Sequence, residues 1–505
     1  HQNAIALPGL SGSLRSDRCR GILCQNLLGG FSAMTASPNV RIERDSMGEM
    51  EVPADALYGA STMRAVLNFP ISGLRFPRTF IRALGLIKQS AARGNMSLGL
   101  VDERIGNAIV AAAQEVIDGQ LDRHFVLDIF QTGSGTSTNT NANEVIANRA
   151  SQLLGGDLGS RLVHPNDHVN MGQSSNDVIP TSIHLAALLA INEDLIPGLD
   201  NLATELEKKS EEFWPIVKTG RTHLQDATPV RLGQEFLGYA GQARYSIQRM
   251  RRAQEALAEV ALGGTAVGTG VNTHPEFSAR TCAFVSEVSG VEIRETENHF
   301  QAQASLDALV EASGELKTVA ISLHKIANDI RFIASGPRAG LGEIALPEVQ
   351  PGSSIMPGKI NPVIAESVVQ VVAQVVGNDA SVTLAGQGGY FELNTMMPVA
   401  AHNILESISL LAASANNFAD QCVEGIEATT VGPDMVEKGL MLGTALAPAI
   451  GYDAAASIAK EAAARGMTIR EMAKEKTELS DEELDTLLNP EGMTEPGVSM
   501  AGGGG

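Results

Sequence analysis

The sequence predicts a mainly α-helical protein of two or three domains around a long central helical bundle. Three observations carry this. At 505 residues the chain exceeds one compact core. Hydrophobic residues make up 44% but aromatics only 4%, so the interior is filled by Ala, Leu, Val, Ile and Met, which suits packed helices better than sandwiches or barrels. Long Ala/Leu-rich segments repeat apolar residues every three or four positions, the helical period.

Taken in order, Arg41 to Leu74 mixes Pro, Gly and acidic residues and reads as loops and short strands opening a domain. Thr79 to Ala92 and Val101 to Asp118 read as helices, the second capped by Asp102. Glu144 to Leu154 reads as a further helix after a polar loop. Asp177 to Arg252 holds long helical segments broken at Pro197 and Gly220, and Ser305 to Ile333 is one long helix without internal Pro. Ala365 to Val376 is apolar all round, the pattern of a helix inside a bundle or an oligomer. Asn403 to Glu424 is another strong helix. The last part, Gly432 to Pro496, has shorter helices with acidic faces, such as Thr477 to Leu488. The expected division is an extension over 1–33, a mixed, mostly helical domain over 34–173, the central bundle over 174–430 and a small helical domain over 431–505.

A net charge of −21 argues against nucleic acid, which requires a basic face. It also means that any anionic substrate needs local cations, for which Lys359 and Arg221 are candidates. Cys19 and Cys24 lie near the N-terminus, Cys282 and Cys422 are isolated, and no CxxC pair occurs, so neither an iron–sulfur cluster nor a disulfide framework is expected. Reduced thiols in a cytoplasm are the simplest reading. No uninterrupted apolar run approaches a membrane span. The first residues carry Arg15, Arg18 and Arg20 with only Asp17 acidic, a composition with a transit-peptide flavour. Met34 nevertheless reads as the natural start, with residues 1–33 a disordered upstream piece and Gly502 to Gly505 a flexible end.

Four polar loops stand out against the aliphatic background. Gly133-Ser134-Gly135-Thr136-Ser137-Thr138-Asn139-Thr140-Asn141 packs hydroxyls, amides and glycines without charge; it reads as an anion loop, a helix cap, or both. Gly172-Gln173-Ser174-Ser175-Asn176-Asp177 offers donors just before a helix and, taken alone, is an ordinary cap. Gly220-Arg221-Thr222-His223-Leu224-Gln225-Asp226 carries a histidine that, with a carboxylate partner, can hold charge near neutral pH and activate water. Gly352-Ser353-Ser354-Ile355-Met356-Pro357-Gly358-Lys359-Ile360-Asn361-Pro362 gathers two hydroxyls, a cation and an amide between Gly and Pro. Lys359 can neutralise a carboxylate, and Asn361 can bond it from the same side of an extended segment. His164 and His168 have i, i+4 spacing around Asp167, but Pro165 disfavours the helix that would align them on a metal.

The last of these loops resembles the signature GSSxMPxKxNP of the aspartase/fumarase superfamily, without a gap. From about Arg41 to the last helical segment the chain resembles the class II, iron-independent fumarate hydratases. Gly133-Ser134-Gly135-Thr136 is similar to the family's first substrate loop, His164-Pro165-Asn166-Asp167 to its accessory anion site, and Ser174-Ser175-Asn176 and Thr222-His223 to its binding and catalytic loops. Glu366 falls where the family places the acidic partner of the histidine. Gly263 to Gly270 and Asn272-Thr273-His274-Pro275 match as well.

The resemblance implies a three-domain fold whose bundle forms a tetrameric core, with each site built from three subunits. It implies a small dicarboxylate substrate and reversible, trans hydration of fumarate to L-malate through an aci-carboxylate carbanion, with no cofactor and no metal. Ser353 would take the C3 proton, which requires its activation as an oxyanion. His223, paired with Glu366, would handle the water. Ser134, Thr136, Ser174, Ser175, Asn176, Thr222, Lys359 and Asn361 would hold the carboxylates, and His164, Asn166 and Asp167 the accessory anion. The nearest alternative is aspartate ammonia-lyase, whose pattern has Gln where His223 stands and tends to Gly-Ala-Gly-Thr in the first loop. Argininosuccinate and adenylosuccinate lyases share the signature more loosely. A non-catalytic relative would have eroded Ser353, Lys359, Asn361, His223 and Glu366, all of which are present. Ile360, where Val is usual, and Thr138 and Thr140 are small departures that bear on affinity, not on reaction type.

Overall fold

The computed structural model of the chain describes residues 39–497. The expected N-terminal extension, Cys19, Cys24 and the terminal glycines lie outside these residues. The fold is mainly helical, as the aliphatic composition requires.

The chain opens with an antiparallel hairpin, β1 (Val40–Asp45) and β2 (Gly48–Pro53), in register from Val40 opposite Pro53 to Asp45 opposite Gly48. Helices α1 (Ala60–Asn68), α2 (Arg78–Ser97), α3 (Glu103–Ile117) and α4 (Thr136–Leu153) follow. Asp102 caps α3, accepting from the backbone N–H groups of Arg104 and Ile105 as its position predicts. Helix α4 starts eight residues earlier than the apolar pattern suggests, because Thr136 to Asn141 are helical despite their low propensity. Thr138 and Asn141 are fixed by Gln131 and by the His124 carbonyl, so tertiary bonds override propensity there.

Helix α1 has no side-chain cap of its own. Glu144, buried on α4, supplies it from a distance. Its carboxylate accepts from the backbone N–H groups of Gly59 (2.8 Å), Ser61 (3.2 Å) and Thr62 (3.2 Å) and from the Thr62 hydroxyl (2.6 Å). This satisfies donors that a helix start leaves orphaned and sets negative charge against the positive end of the dipole.

The bundle is formed by α5 (Ser175–Ala190), α6 (Ile196–Glu212), α7 (Leu232–Leu257), α10 (Asp307–Ile333), α11 (Val363–Gly386) and α12 (Met397–Phe418), with α8 (Phe277–Ser289) and α9 (His299–Ala304) beside it. The expected break at Pro197 does not occur. A wide π-helical turn, Ile191–Leu195, lies just before Pro197 and shifts the i→i−4 ladder where the proline has no N–H to give. Between α6 and α7 the chain forms a second hairpin, β3 (Val217–Thr222) and β4 (Gln225–Arg231), so Gly220 lies within a strand.

Buried hydrophobic residues from Val52 to Ile426 form one continuous core, and Leu442 to Leu488 form a second, smaller one. Two helical stretches, Ser175–Glu212 and Val363–Gly386, reach the length and mean hydropathy of a membrane span, although charged residues interrupt both. The first is 72% buried over its most apolar window, as a bundle core should be; the second is only 39% buried. Its Leu384, with Ile321 and Phe332 on α10 and Phe391 at a hairpin tip, leaves large apolar groups on the surface of the single chain.

Glu144→Ala removes the acceptor for four donors, an expected cost of ~2–4 kcal/mol. The thermal midpoint, scanned at one fixed rate, should fall by several degrees, and less for Glu144→Gln, which keeps one acceptor. An unchanged midpoint in the alanine variant would remove Glu144 as the cap of α1.

Candidate functional site

The first polar cluster sits where α4 and α5 begin side by side. Gly133 leads into it and tolerates no side chain: a Cβ there would stand 1.9 Å from the Thr395 carbonyl oxygen. Ser134, Thr136 and Ser175 then join hydroxyl to hydroxyl. Ser134 Oγ is 2.6 Å from Thr136 Oγ1, which is 2.7 Å from Ser175 Oγ. The chain continues from Ser175 Oγ to Asn176 Oδ1 at 3.3 Å, and Asn176 Nδ2 donates to the Ala266 carbonyl at 2.8 Å. Ser174 caps α5 in a capping box with Asp177, whose Oδ1 accepts the Ser174 N–H at 2.9 Å. The two sequence loops therefore converge on one spot, at the N-termini of two helices, where an anion is favoured.

Beneath the cluster lie Lys88 and Asp177, both fully buried. Lys88 Nζ donates to Asn170 Oδ1 and Gln173 Oε1, each at 2.9 Å. Burial pushes the Asp177 carboxyl up and the Lys88 ammonium down, and the charge of each opposes the shift of the other. Sequence reading passed over Lys88. The signal was there: it lies four residues after Leu84 and seven after Ile81, on the apolar stripe of α2.

The other candidates stand elsewhere in the chain. His223 and Leu224 form the two-residue turn between Thr222 and Gln225, with φ of 56° and 60°. Positive φ at both centres is the twist such hairpins want, but it normally selects Asn and Gly. The exposed His223 side chain is thus held at the tip by a costly backbone. Below it, Arg221 Nη2 donates to buried Glu343 at 2.6 Å, and Lys218 pairs with the same carboxylate at 2.8 Å. Arg221, a candidate cation for substrate, is therefore committed to bracing the hairpin. Thr222 is exposed beside His223. Glu366, half-buried in the first turn of α11, makes no hydrogen bond or ion pair with His223 within the chain.

In the signature loop, Ser353 Oγ accepts from the backbone N–H groups of Ile355 (3.2 Å) and Met356 (3.1 Å). The loop is clasped at its base: the Gly352 N–H donates to the Lys359 carbonyl at 2.9 Å, and Asn361 Nδ2 to the Gly352 carbonyl at 2.7 Å. Asn361 therefore turns inward, whereas the sequence suggested that it extends beside Lys359. Lys359 is exposed and, among the described residues, has no ion-pair partner. No hydrogen bond among the described residues joins this loop to the Ser134–Ser175 cluster or to His223.

His164 and Asn166 line a cavity of about 540 Å3 with Arg44, Ser61, Glu144 and Arg161, while the Asp167 side chain is largely exposed. The Asp167 N–H donates to His164 Nδ1 and the His164 N–H to His168 Nδ1. Both Nδ1 atoms thereby accept a backbone N–H, and His164 Nδ1 also lies 3.2 Å from Asp167 Oδ2. Pro165–Val169 is a π-helical turn, which removes the i, i+4 alignment of the two imidazoles. Among the described residues no three His, Cys, Asp or Glu side chains are grouped as metal ligands.

Residues 48–377 match the family described as Lyase, and residues 442–495 that described as Fumarase C C-terminus. The chain is 57% identical over 463 residues to the class II fumarate hydratase of Halobacterium salinarum, covering 92% of this chain and 98% of that one. It is 53% identical over 457 residues to the class II fumarate hydratase of Nitrosomonas europaea, covering 90% and 99%. A crystal structure of a recombinant class II fumarase from Schistosoma mansoni superimposes with a TM-score of 0.88 at 39% identity, over 90% of this chain and 99% of that one. With its signature loop, its paired helix starts and its histidine-tipped hairpin, the chain belongs to the class II fumarate hydratase family.

Proposed function

We propose that the chain catalyses the reversible hydration of fumarate to L-malate by trans addition of water. The observation that carries this reading is the pair of backbone N–H groups on Ser353 Oγ. Donors that converge on a hydroxyl oxygen favour its ionised form, and an alkoxide is what abstraction of a weakly acidic C3 proton requires. In dehydration Ser353 takes that proton and the electron pair moves into the adjacent carboxylate as an aci-carboxylate. Lys359, with the Asn361 amide N–H not given to the Gly352 carbonyl, stabilises the added charge, which is greater in the transition state than in the substrate. The C2 hydroxyl then leaves as water, with His223 as its proton donor through a bound water and Glu366 as the partner that holds the imidazole charge. Ser134, Thr136, Ser174, Ser175, Asn176 and Thr222 hold the carboxylates. His164, Asn166 and Asp167 form an accessory anion site.

Among the described residues no hydrogen bond or ion pair joins Ser353, His223, Glu366 and the Ser134–Ser175 cluster to one another, and we read the working enzyme as a homotetramer with sites shared between subunits. The uncovered apolar faces of α10 and α11 support this assembly, since monomers seldom expose such patches. A division at residues 34–173, 174–430 and 431–505 and a cytoplasmic setting complete the reading. Aspartate ammonia-lyase is the less favoured alternative, because His223 replaces the Gln of that pattern.

Purified protein given L-malate should produce fumarate absorbance, and a parallel sample given L-aspartate should stay silent. Fumarate from aspartate alone would overturn the assignment. Ser353→Ala should lower turnover ~1,000-fold or more with the assembly intact, since losing the base removes a transition-state interaction. Activity within a few-fold of wild type would exclude Ser353 as the base. Lys359→Ala should raise KM for malate ~10-fold or more by removing a charged contact.

A further inference from the structure

The Gly263–Gly270 loop carries no role in the mechanism above, yet its geometry is unusual. Thr265 is buried with φ of 53°, a left-handed backbone that a β-branched residue resists. Everything around Thr265 holds it there. Its N–H donates to Asp177 Oδ2 at 2.9 Å, its carbonyl accepts from Gln303 Nε2 at 2.8 Å, and its hydroxyl donates to the Val271 carbonyl at 3.1 Å. The Gly263 N–H converges on the same Asp177 oxygen at 3.1 Å. Two nearby N–H groups around one oxygen form an anion nest, and here a carboxylate of the protein itself fills it from the buried side. Strain so thoroughly over-determined points to a conformation that the site needs.

What the loop delivers is the Ala266 carbonyl. A carbonyl only accepts, so the Asn176 atom facing it is the N–H2 group, and Asn176 Oδ1 faces Ser175. Ser175 must then donate to Asn176 and accept from Thr136, and Thr136 in turn accepts from Ser134. The direction of the whole hydroxyl chain is set from the Ala266 end. The remaining Asn176 N–H is left for an incoming anion, and each hydroxyl can rotate to donate when one arrives.

We infer that Asp177 is a positioning residue for dicarboxylate binding, acting through the Gly263–Gly270 loop on Asn176 and on the hydroxyls that follow it. Its other oxygen fixes the Ser174 N–H, so one carboxylate holds both walls of the cluster. Asp177 touches no substrate; its effect is on where the donors point. This inference rests on the substrate reading above.

The test is steady-state kinetics of L-malate dehydration by the intact tetramer. Asp177→Asn keeps the shape but sets an amide N–H2 against N–H donors on one side. KM for malate should rise ~10-fold or more, with a clearly smaller change in kcat, as expected when charge-assisted positioning bonds are lost. Gln303→Met, of similar volume, loosens the same loop from its other face without touching the Lys88–Asp177 charges, and should also raise KM, by ~3-fold or more. It decides the matter if Asp177→Asn fails to fold. A folded variant with KM within about twofold of wild type overturns the inference, as does an equal loss confined to kcat. An inactive wild-type protein would instead overturn the substrate reading itself.

Discussion

Among the described residues no hydrogen bond or ion pair joins the hydroxyl cluster, His223, Ser353 and Glu366 of one chain to one another, and that is the constraint on which everything else depends. Ser134, Thr136, Ser175 and Asn176 are joined at the starts of α4 and α5. His223 stands at the tip of a hairpin, Ser353 on a clasped loop, and Glu366 at the head of α11, with no bond among the described residues between these stations. Each is rigidly founded in its own way. Glu343 braces the hairpin through Arg221 and Lys218, the Gly352–Lys359 pairing closes the loop, and Asp177 holds the helix starts. The hairpin leads into α7 and the signature loop into α11, and the bundle carries bare apolar side chains on α10 and α11.

The design also answers the electrostatic difficulty of an acidic protein that binds a dianion. The net charge of −21 would repel substrate at long range, but screening confines that field to about 10 Å at ordinary ionic strength. The sources of positive potential are local: the N-termini of α4 and α5 at the hydroxyl cluster, and the exposed Lys359, which has no ion-pair partner among the described residues. Arg221, the other obvious cation, is spent on structure.

Much of this was legible in the sequence, and the rest failed for identifiable reasons. The aliphatic interior predicted helices because few aromatics leave little else to build with. Asp102 announced a cap, and the helix follows it directly. The start of α4 was misread because Thr and Asn argue against helix locally, while Gln131 and the His124 carbonyl, remote or looped back, decide it. Pro197 looked like a break because a π-helical turn has no sequence signature that separates it from a loop. Among site residues, the hydroxyl loops could be named from composition and resemblance, but their union could not, since Thr136 and Ser175 are brought together only by tertiary packing. Lys88 and Asp177 were visible as a charge on an apolar stripe and as a cap; their role under the site needed the fold.

The central claim is that no single chain completes a site. It is tested most directly by co-expressing two variants, His223→Asn and Ser353→Ala, under different tags and isolating assemblies that carry both. If sites draw histidine and serine from different subunits, random mixing leaves both groups intact in roughly a quarter of the sites, and malate dehydration should return to about that fraction of the wild-type rate. If each chain carried its own complete site, every site in the mixture would lack one group and no activity would return. That result would contradict the account.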